Sequence, residues 1–217
     1  MTQSYLTLAE VFARPESVTY SLAAGEWSRA GEVTLRPMQA DDVDAGGYFL
    51  EGLSAQTRHF SVFPSYDRAM AQKLCDAINR YDKLRLVVKI QEAGKVGDDA
   101  AAKVIGLMEF SFDIPEGDLQ RYAHYGVALD PHYDCRFGPT LADDFQNQGL
   151  GSAIFPYVVD VARKFGKRRI VLWGGVLADN RRAIHFYEKH GFVPVGSFIA
   201  ADGLRDNDMI LSIDSEP

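Results

Sequence analysis

The stretch that decides the fold of this 217-residue chain reads Phe145-Gln146-Asn147-Gln148-Gly149-Leu150-Gly151-Ser152, and it leads into an amphipathic segment. Two glycines flank one apolar residue, and the stretch has no lysine. Backbone N–H groups at the start of a helix bind phosphate, and glycine lets a ligand approach closely. The stretch therefore predicts a phosphate site made of backbone amides. It is neither a P-loop, which needs a lysine and a hydroxyl, nor a GxGxxG turn, which needs a third glycine.

Composition places the chain among globular proteins. Its residues are 47% apolar and 12% aromatic, which is enough for a packed core in one sizeable domain. A formal net charge of −7 argues against general binding to nucleic acid or to an anionic membrane. Two cysteines, Cys75 and Cys135, are too few for a disulfide framework and predict buried thiols. The first residues lack a signal-peptide pattern and no apolar run suits a membrane span, so we expect a cytoplasmic protein.

The order of predicted elements indicates a mixed α/β domain. We expect residues 1–31 to form an N-terminal extension that packs on a main domain of residues 32–217. Apolar spacing predicts helices over 43–53 with Asp41 or Asp42 as the N-cap, over 66–81 with Ser65 as the N-cap, from 150 to a stop at Gly166 with a kink at Pro156, and over 181–189. Alternating or β-branched runs predict strands at 33–36, 84–90, 104–112, 121–129, 136–142, 169–173, 195–200 and 208–213, with a turn at 94–101.

Two separate segments resemble the signatures of the GNAT superfamily of N-acetyltransferases. Gln146-x-x-Gly149-x-Gly151 is similar to the family's acetyl-CoA motif, Gln/Arg-x-x-Gly-x-Gly/Ala. Residues 180–192, Asn-Arg-Arg-Ala-Ile-His-Phe-Tyr-Glu-Lys-His-Gly-Phe, resemble its second signature, Asn-x-x-Ala-x-x-apolar-Tyr-Glu-Lys-x-Gly-Phe. The two segments lie in the family's order. The resemblance covers the chain from about residue 33 to its C-terminus.

A shorter similarity links the start of the main domain to bacterial protein-lysine acetyltransferases. It rests on Leu35-Arg36-Pro37, on Leu53-Ser54 and on Arg58-His59-Phe60. The resemblance as a whole implies an α+β mixed sheet with the GNAT-like acyl-CoA N-acyltransferase fold. In that fold a mostly antiparallel central sheet is splayed at the cofactor site and flanked by about four helices.

The resemblance also implies acetyl-CoA as the acyl donor, with no metal. The backbone of Leu141 and Ala142 would pair with the pantetheine amides, and residues 146–152 would surround the pyrophosphate. Asn180 would hydrogen-bond the pantetheine arm, and the small Ala183 would let it approach. The expected acetyl-CoA contacts are Leu141, Ala142, Asp143, Gln146, Asn147, Gln148, Gly149, Leu150, Gly151, Ser152, Asn180, Ala183 and Tyr187.

Direct acetyl transfer to an amine needs a base for the amine, a donor for the developing oxyanion and an acid for the thiolate. The resemblance makes Tyr187 the acid, and we expect the backbone near the end of the strand before the loop to polarise the thioester. Glu109 and Asp134 are the candidate bases, and His132 and Tyr133 are neighbours of the second. The choice between them stays open at the level of sequence.

Each of these features also has a purely structural interpretation. Gly149 and Gly151 suit close packing of a helix on a strand, and Tyr187 suits a buried aromatic position. His185 and His190 are five residues apart on one predicted helix, a poor spacing for metal ligands.

For the whole chain the main hypothesis is an acetyl-CoA-dependent N-acetyltransferase that acts on a primary amine of a small molecule or protein. The alternatives are a non-catalytic acyl-CoA-binding or sensing module on the same fold and a protein-interaction domain with a vestigial loop. Acidic residues such as Asp113, Glu116 and Asp118 favour a cationic acceptor. A homodimer is compatible with the sequence.

Overall fold

The computed structural model describes residues 4–22, 25, 27, 31–61, 63–78, 82–91 and 102–213. Its helices are α1 (Leu8–Ala13), α2 (Val43–Glu51), α3 (Ala55–His59), α4 (Arg68–Asp76), α5 (Glu116–His124), α6 (Leu150–Lys164) and α7 (Arg181–Lys189). Its strands are β1 (Tyr20–Leu22), β2 (Glu32–Pro37), β3 (Lys83–Gln91), β4 (Lys103–Ser111), β5 (Asp134–Leu141), β6 (Arg169–Leu172), β7 (Val176–Leu177), β8 (Val193–Ile199) and β9 (Arg205–Ser212). Within these ranges every helix is too short or too polar to cross a bilayer.

The nine strands form one mixed sheet in the order β1-β2-β3-β4-β5-β6-β9-β7, and β8 pairs with β9. Only β5 and β6 are parallel among the pairs whose register the described residues define, while β1–β2, β2–β3, β6–β9, β7–β9 and β8–β9 are antiparallel. The predicted mostly antiparallel sheet is therefore confirmed.

The chain packs as two compact units. The first unit comprises Thr7–Glu109 and Pro139–Val158, and the second comprises Met1–Leu6, Phe110–Gly138 and Val159–Pro217. Because the boundaries fall inside β4 and β5, both strands contribute residues to both units.

In the first unit, α2 and α4 pack their apolar faces on β3 and β4. The buried side chains of this core include Val43, Phe49, Leu50, Met70, Leu74, Val87 and Leu107. The expected N-cap Ser65 is wrong: α4 starts after Asp67, whose carboxylate accepts the N–H of Met70 at 2.8 Å. Ser65 instead donates its hydroxyl to Asp67. Asp42 does precede α2, but its carboxylate binds Arg36 at 2.7 Å instead of capping the helix.

In the second unit, β6 is sandwiched between β5 and β9. The parallel register runs from Asp134↔Arg169 to Phe137↔Leu172, while β5 continues to Leu141. A buried cluster of Ile114, Tyr122, Val171 and Ile210 packs α5 on this part of the sheet.

The strand expected at 121–129 is wrong, because residues 116–124 form α5. Glu116 and Asp118 lie in the first turn of this helix, where the helix dipole favours acidic side chains. Tyr122 is fully buried, and its hydroxyl donates to the carbonyl of Met209. The aromatic and β-branched residues that suggest a strand thus mark a helix face and the turn that follows it.

The N-terminal residues contribute to both units. Thr7 and Glu10 form a capping box at the start of α1, and β1 pairs with β2 in the first unit. Leu6 donates its N–H to the carbonyl of Lys164 at 2.7 Å in the second unit. A side chain on Gly166 would lie 2.7 Å from the ring of Tyr5, so this ring packs directly on the glycine. The expected domain boundary after residue 31 stays a prediction.

Most predicted elements are confirmed, with bounds shifted by a few residues. The helix at 181–189 has the predicted ends, and α6 continues through Pro156 as one helix. The structure has seven α-helices in its described residues, not about four, because the short helices α1 and α3 and the helix α5 lack a clear sequence signal. The predicted turn at 94–101 and Tyr81 lie outside the described residues.

Candidate functional site

The loop between β5 and α6 carries the first motif. After Leu141 the chain forms a short 3-10 turn at Asp143–Phe145 and enters α6 at Leu150. Two residues of this loop have positive φ, Asn147 at 59° and Gly149 at 83°. Left-handed residues in such a turn direct successive N–H groups to one side, which makes a concavity suited to anions. The backbone of the loop therefore suits a phosphate.

Several backbone amides of this loop have no acceptor in the part of the chain that the structure describes. Among the described residues, nothing accepts a hydrogen bond from the N–H groups of Asn147, Gly149, Leu150 and Gly151. A side chain on Gly149 would meet no atom within 4 Å, so the space beside it is open. Unpaired N–H groups at a helix start carry the positive end of the helix dipole. These residues fit the pyrophosphate of acetyl-CoA.

Leu141 and Ala142, the two residues expected to bind pantetheine, direct their backbone N–H groups to opposite sides. The N–H of Ala142 donates to the carbonyl of Ile105 in β4 at 2.8 Å, so this donor is already used. Because peptide groups alternate along a strand, the N–H of Leu141 points away from β4. The carbonyl of Leu141 accepts the side-chain amide of Gln146 at 2.7 Å. Of the expected pair, the N–H of Leu141 is the one that can serve a ligand.

The side chain of Asp143 is directed to α3, where the sequence indicated no role for it. Its carboxylate accepts the N–H of Ser54 at 2.9 Å, the hydroxyl of Ser54 at 2.5 Å and the hydroxyl of Thr57 at 2.7 Å. Partial burial raises the pKa of Asp143, but the hydrogen bonds from Ser54 and Thr57 outweigh it and leave the pKa below its ordinary value. Asp143 is therefore an ionised anchor between the loop and the start of α3.

The side chain of Gln146 supports the same anchor. Its amide donates to the hydroxyl of Thr57 at 3.2 Å as well as to Leu141. Gln148 is also turned inward, since its side-chain amide donates to the carbonyl of Asp144. Ser152 lies in the first turn of α6 and is half-buried. The side chains of Asp143, Gln146 and Gln148 thus hold the conformation of the loop, and its unpaired backbone amides remain for a ligand.

The second motif lies at the start of α7 in the second unit. Asn180 is the N-cap of the helix, and its side-chain oxygen accepts the N–H of Ala183 at 3.2 Å. Asn180 is buried, yet its side-chain NH₂ group has no acceptor among the described residues. The nitrogen of this group is not among the fully enclosed unpaired atoms of the described residues, so it is open to a ligand carbonyl.

Tyr187 lies on the same helix, about two turns after Asn180. Its ring packs between those of Phe186 and Phe192, and the residue is 6% exposed. In the part of the chain that the structure describes, its hydroxyl has no hydrogen-bond partner. Burial raises the pKa of Tyr187, so the hydroxyl stays protonated at neutral pH. The hydroxyl is not among the fully enclosed unpaired atoms of the described residues, so it is open to an acceptor on a ligand.

Glu109, the first candidate base, lies in β4 of the first unit. Its Oε1 accepts from Nε of Arg85 at 2.8 Å, and its Oε2 has no partner among the described residues. Burial raises the pKa of Glu109, and the Arg85 charge opposes that rise. One oxygen of this carboxylate is thus able to accept a proton.

Asp134, the second candidate base, is in a different situation. It is fully buried, and Arg169 binds both of its oxygens at 2.7 and 2.6 Å. The N–H of Asp130 also donates to it at 2.6 Å. His132 and Tyr133 contact each other edge to face beside it. This arrangement is that of a structural ion pair, and the carboxylate has little capacity left for proton transfer.

The first motif and Glu109 belong to the first unit, and Asn180, Tyr187 and Asp134 belong to the second. The structure adds two residues that the sequence did not assign, Ser54 and Thr57. The pattern Ser-x-x-Thr at the start of α3 is a capping pattern, but nothing in it indicates a bond to Asp143, which lies far along the chain.

The comparison with protein families agrees with the two motifs. The family model described as Acetyltransferase (GNAT) family matches residues 61–192, which is more than half of the chain. A curated acetyltransferase of Pseudomonas aeruginosa is 25% identical over 141 residues, which are 64% of this chain and 63% of that protein. The match therefore spans less than two thirds of that relative's length.

Solved structures share the fold. The GNAT domain of S. lividans PAT has a TM-score of 0.66 at 20% identity, covering 91% of this chain and 98% of that domain. AAC(6')-Ib, solved with paromomycin and acetyl-CoA, has a TM-score of 0.62 at 19% identity, covering 83% of this chain and 93% of that one. At these identities the similarity shows the fold alone, and the GNAT-like fold is confirmed.

We predict that Asp143→Asn loosens the loop before α6. An asparagine at this position turns an NH₂ group toward one of the donors on Ser54 and Thr57 and removes charge-assisted hydrogen bonds. Amide hydrogen exchange of Phe145, Gln146 and Ala153, whose N–H groups are bonded within the loop, should become about tenfold faster, since charge-assisted bonds contribute roughly 1.5–3 kcal/mol each. Asp144→Asn is the matched control, because Asp144 is the exposed neighbour with the same charge. Equal exchange rates in the two variants would show that Asp143 does not hold the loop.

Proposed function

Since the chain belongs to the acetyltransferase (GNAT) family, we propose that it transfers an acetyl group from acetyl-CoA directly to a primary amine of a small molecule or protein. The observation that carries this proposal is the loop before α6, where backbone amides that no described residue accepts from lie next to the open space at Gly149. The fold shared with a protein solved in complex with acetyl-CoA supports the choice of donor.

The donor supplies its acetyl group as a thioester. In this proposal the amides of Asn147, Gly149, Leu150 and Gly151 donate to its pyrophosphate. The N–H of Leu141 donates to its pantetheine arm, which binds beside β5 like an added strand. The side-chain NH₂ of Asn180 donates to a carbonyl of the same arm. The assignment of Asn180, and that of the small Ala183, follows from the family motif in α7.

The chain's own groups then move two protons. The amine nitrogen bonds to the acetyl carbon as the carbon–sulfur bond breaks. Oε2 of Glu109 accepts the proton that the amine loses, directly or through one water, and the hydroxyl of Tyr187 gives its proton to the departing sulfur. We favour Glu109 over Asp134 as the base because burial raises the pKa of Glu109 and no described residue binds its Oε2, whereas Arg169 holds both oxygens of Asp134.

The direct test is release of free thiol from acetyl-CoA in the presence of a panel of primary amines. We expect at least one amine to raise thiol release above the hydrolysis background. Tyr187→Phe should lower kcat by about 100-fold, within the range for loss of a general acid, with an unchanged Kd for acetyl-CoA. Tyr48→Phe, at an exposed tyrosine, is the control. Tight acetyl-CoA binding without release for any amine would leave a non-catalytic acyl-CoA-binding module.

The phosphate site in the loop before α6 can be tested with two glycines in the same conformation. Gly149 and Gly203 both have φ of 83°, and a side chain on either meets no atom within 4 Å. An alanine therefore introduces the same backbone strain, about 1–2 kcal/mol, at both positions. Only Gly149→Ala should weaken CoA binding, by at least about tenfold, because its methyl group and the strain act where the pyrophosphate binds. Similar Kd values of CoA for the two variants in calorimetry would mean that the pyrophosphate binds elsewhere.

Substitutions of Glu109 and of Asp134 should have different effects. Glu109 must be ionised to act as the base, so kcat/KM should fall as the pH falls through its raised pKa. Glu109→Gln should lower kcat/KM by about 100-fold and remove this acidic limb. Asp134→Asn should instead lower the free energy of unfolding by about 3 kcal/mol, because it breaks a buried ion pair, and keep the acidic limb. An acidic limb that persists in Glu109→Gln would exclude Glu109 as the base.

A further inference from the structure

Trp27, which lies ahead of the residues that the family model matches, is a buried tryptophan with an unused polar atom. The residue is 7% exposed, and its Nε1 is fully enclosed with no hydrogen-bond partner among the described residues. A buried indole N–H normally has an acceptor, since leaving such a donor unpaired is unfavourable. The contacts of the ring, and not a hydrogen bond, therefore keep this side chain inside the protein.

The ring of Trp27 packs against the turn that leads into the loop before α6. Its centre lies 6.1 Å from the centre of the Phe145 ring, with 39° between the two ring planes. Aromatic side chains attract each other at this separation. Phe145 is the last residue of the 3-10 turn Asp143–Phe145, and Gln146 of the first motif follows it directly. Trp27 thus contacts the residue that precedes the motif.

The segment before Trp27 is fastened to the same unit of the protein. Strand β1 pairs with β2 in the sheet, and Leu22 at the end of β1 is 1% exposed. The ring centre of Tyr20 lies 4.7 Å from that of Tyr157 in α6. All of these residues, together with Trp27 and the loop before α6, belong to the first unit. The sheet and α6 therefore hold the strand from which the chain continues to Trp27.

One contact holds each end of the 3-10 turn. At its first residue, Asp143 accepts hydrogen bonds from Ser54 and Thr57. At its last residue, Phe145 packs on Trp27. The backbone amides that we assign to the pyrophosphate follow this turn directly. A loop that is already held in its binding conformation loses less entropy when the ligand binds, and its affinity is higher for that reason.

We propose that Trp27 is a positioning residue for acetyl-CoA, which acts through Phe145 by holding the loop before α6 in the conformation that binds the pyrophosphate. This inference rests on the proposed acetyl-CoA site. The indole N–H makes no contact with the cofactor in this role, because it is enclosed by the protein. Loss of the ring should therefore weaken cofactor binding and leave the groups that move protons unaffected.

The test compares two substitutions of Trp27. Trp27→Leu removes the aromatic pair and should raise the Kd for CoA and the KM for acetyl-CoA by about fivefold, the size expected for one such pair. The value of kcat at saturating acetyl-CoA should stay unchanged, because binding is affected and chemistry is not. Trp27→Phe keeps a ring against Phe145 and loses only an unpaired N–H, so its Kd should stay within about twofold of the unmodified value.

Tyr20→Leu is the matched control, since it removes an aromatic contact that the same part of the chain makes with α6 and not with the loop. It should lower the free energy of unfolding and leave the Kd for CoA unchanged. Amide hydrogen exchange of Phe145 and Gln146, measured without ligand, should become faster in Trp27→Leu and not in Tyr20→Leu. A merely structural role of Trp27 would give the two variants the same pattern.

Phe145→Leu removes the same aromatic pair from the other side and leaves the residues before Trp27 unchanged. It should raise the Kd for CoA by about the same factor as Trp27→Leu. The double variant should bind CoA no more weakly than either single variant, because one pair can be lost only once. This arm keeps the inference testable even where Trp27→Leu does not fold.

The outcomes separate this inference from the proposed function. An unmodified protein that binds neither CoA nor acetyl-CoA overturns the proposed function, and the positioning role with it. Normal binding by the unmodified protein, with an unchanged Kd in Trp27→Leu or in Phe145→Leu, overturns the positioning role and leaves the acetyltransferase intact. Effects of the two substitutions that add up in the double variant also overturn it, because Trp27 would then act by a route other than Phe145.

Discussion

Ionised carboxylates that are taken out of water need a cation within hydrogen-bonding distance, and this need shapes both units of the protein. The Asp42–Arg36 pair joins the start of α2 to β2, and the Glu109–Arg85 pair joins β4 to β3. In the second unit, Asp134–Arg169 joins β5 to β6 and Asp208–Arg121 joins β9 to α5. Such pairs add little net stability compared with apolar contacts, but loss of one partner is severe.

Residues whose signal is local were predictable from the sequence. The ends of α7 agree with the predicted 181–189, and the structure shows local signals at both: Asn180 is the N-cap, and Gly191, with φ of 87°, follows the C-cap His190. The same holds for α6, whose apolar spacing outweighs Pro156. Conversely, α3 is too short for a periodic pattern, and α5 presents aromatic residues that also suit a strand.

Contacts between distant segments were not predictable. Asp143 is 89 residues from Ser54, so no spacing rule joins them. Asp134 is a plausible base from its place before the loop, and only the parallel register with Arg169 shows that both of its oxygens are occupied. Likewise, only the bond from Ala142 to Ile105 shows which N–H of the expected pantetheine pair is already used. The residue types in the motifs indicated the cofactor, but only the structure shows which groups these residues bind within the protein.

One contact far from the loop joins residues near the start of the chain to residues that are synthesised much later. Leu6 bonds to Lys164, and the ring of Tyr5 packs on Gly166. These partners are separated by most of the chain, so closing the contact carries a large loop entropy. During synthesis from the N-terminus, Tyr5 and Leu6 leave the ribosome long before their partners exist, while α1 and β1 can already join the first unit. The second unit therefore completes late, and slow folding of its parallel β5–β6 pair is the expected consequence for a chain with such distant contacts.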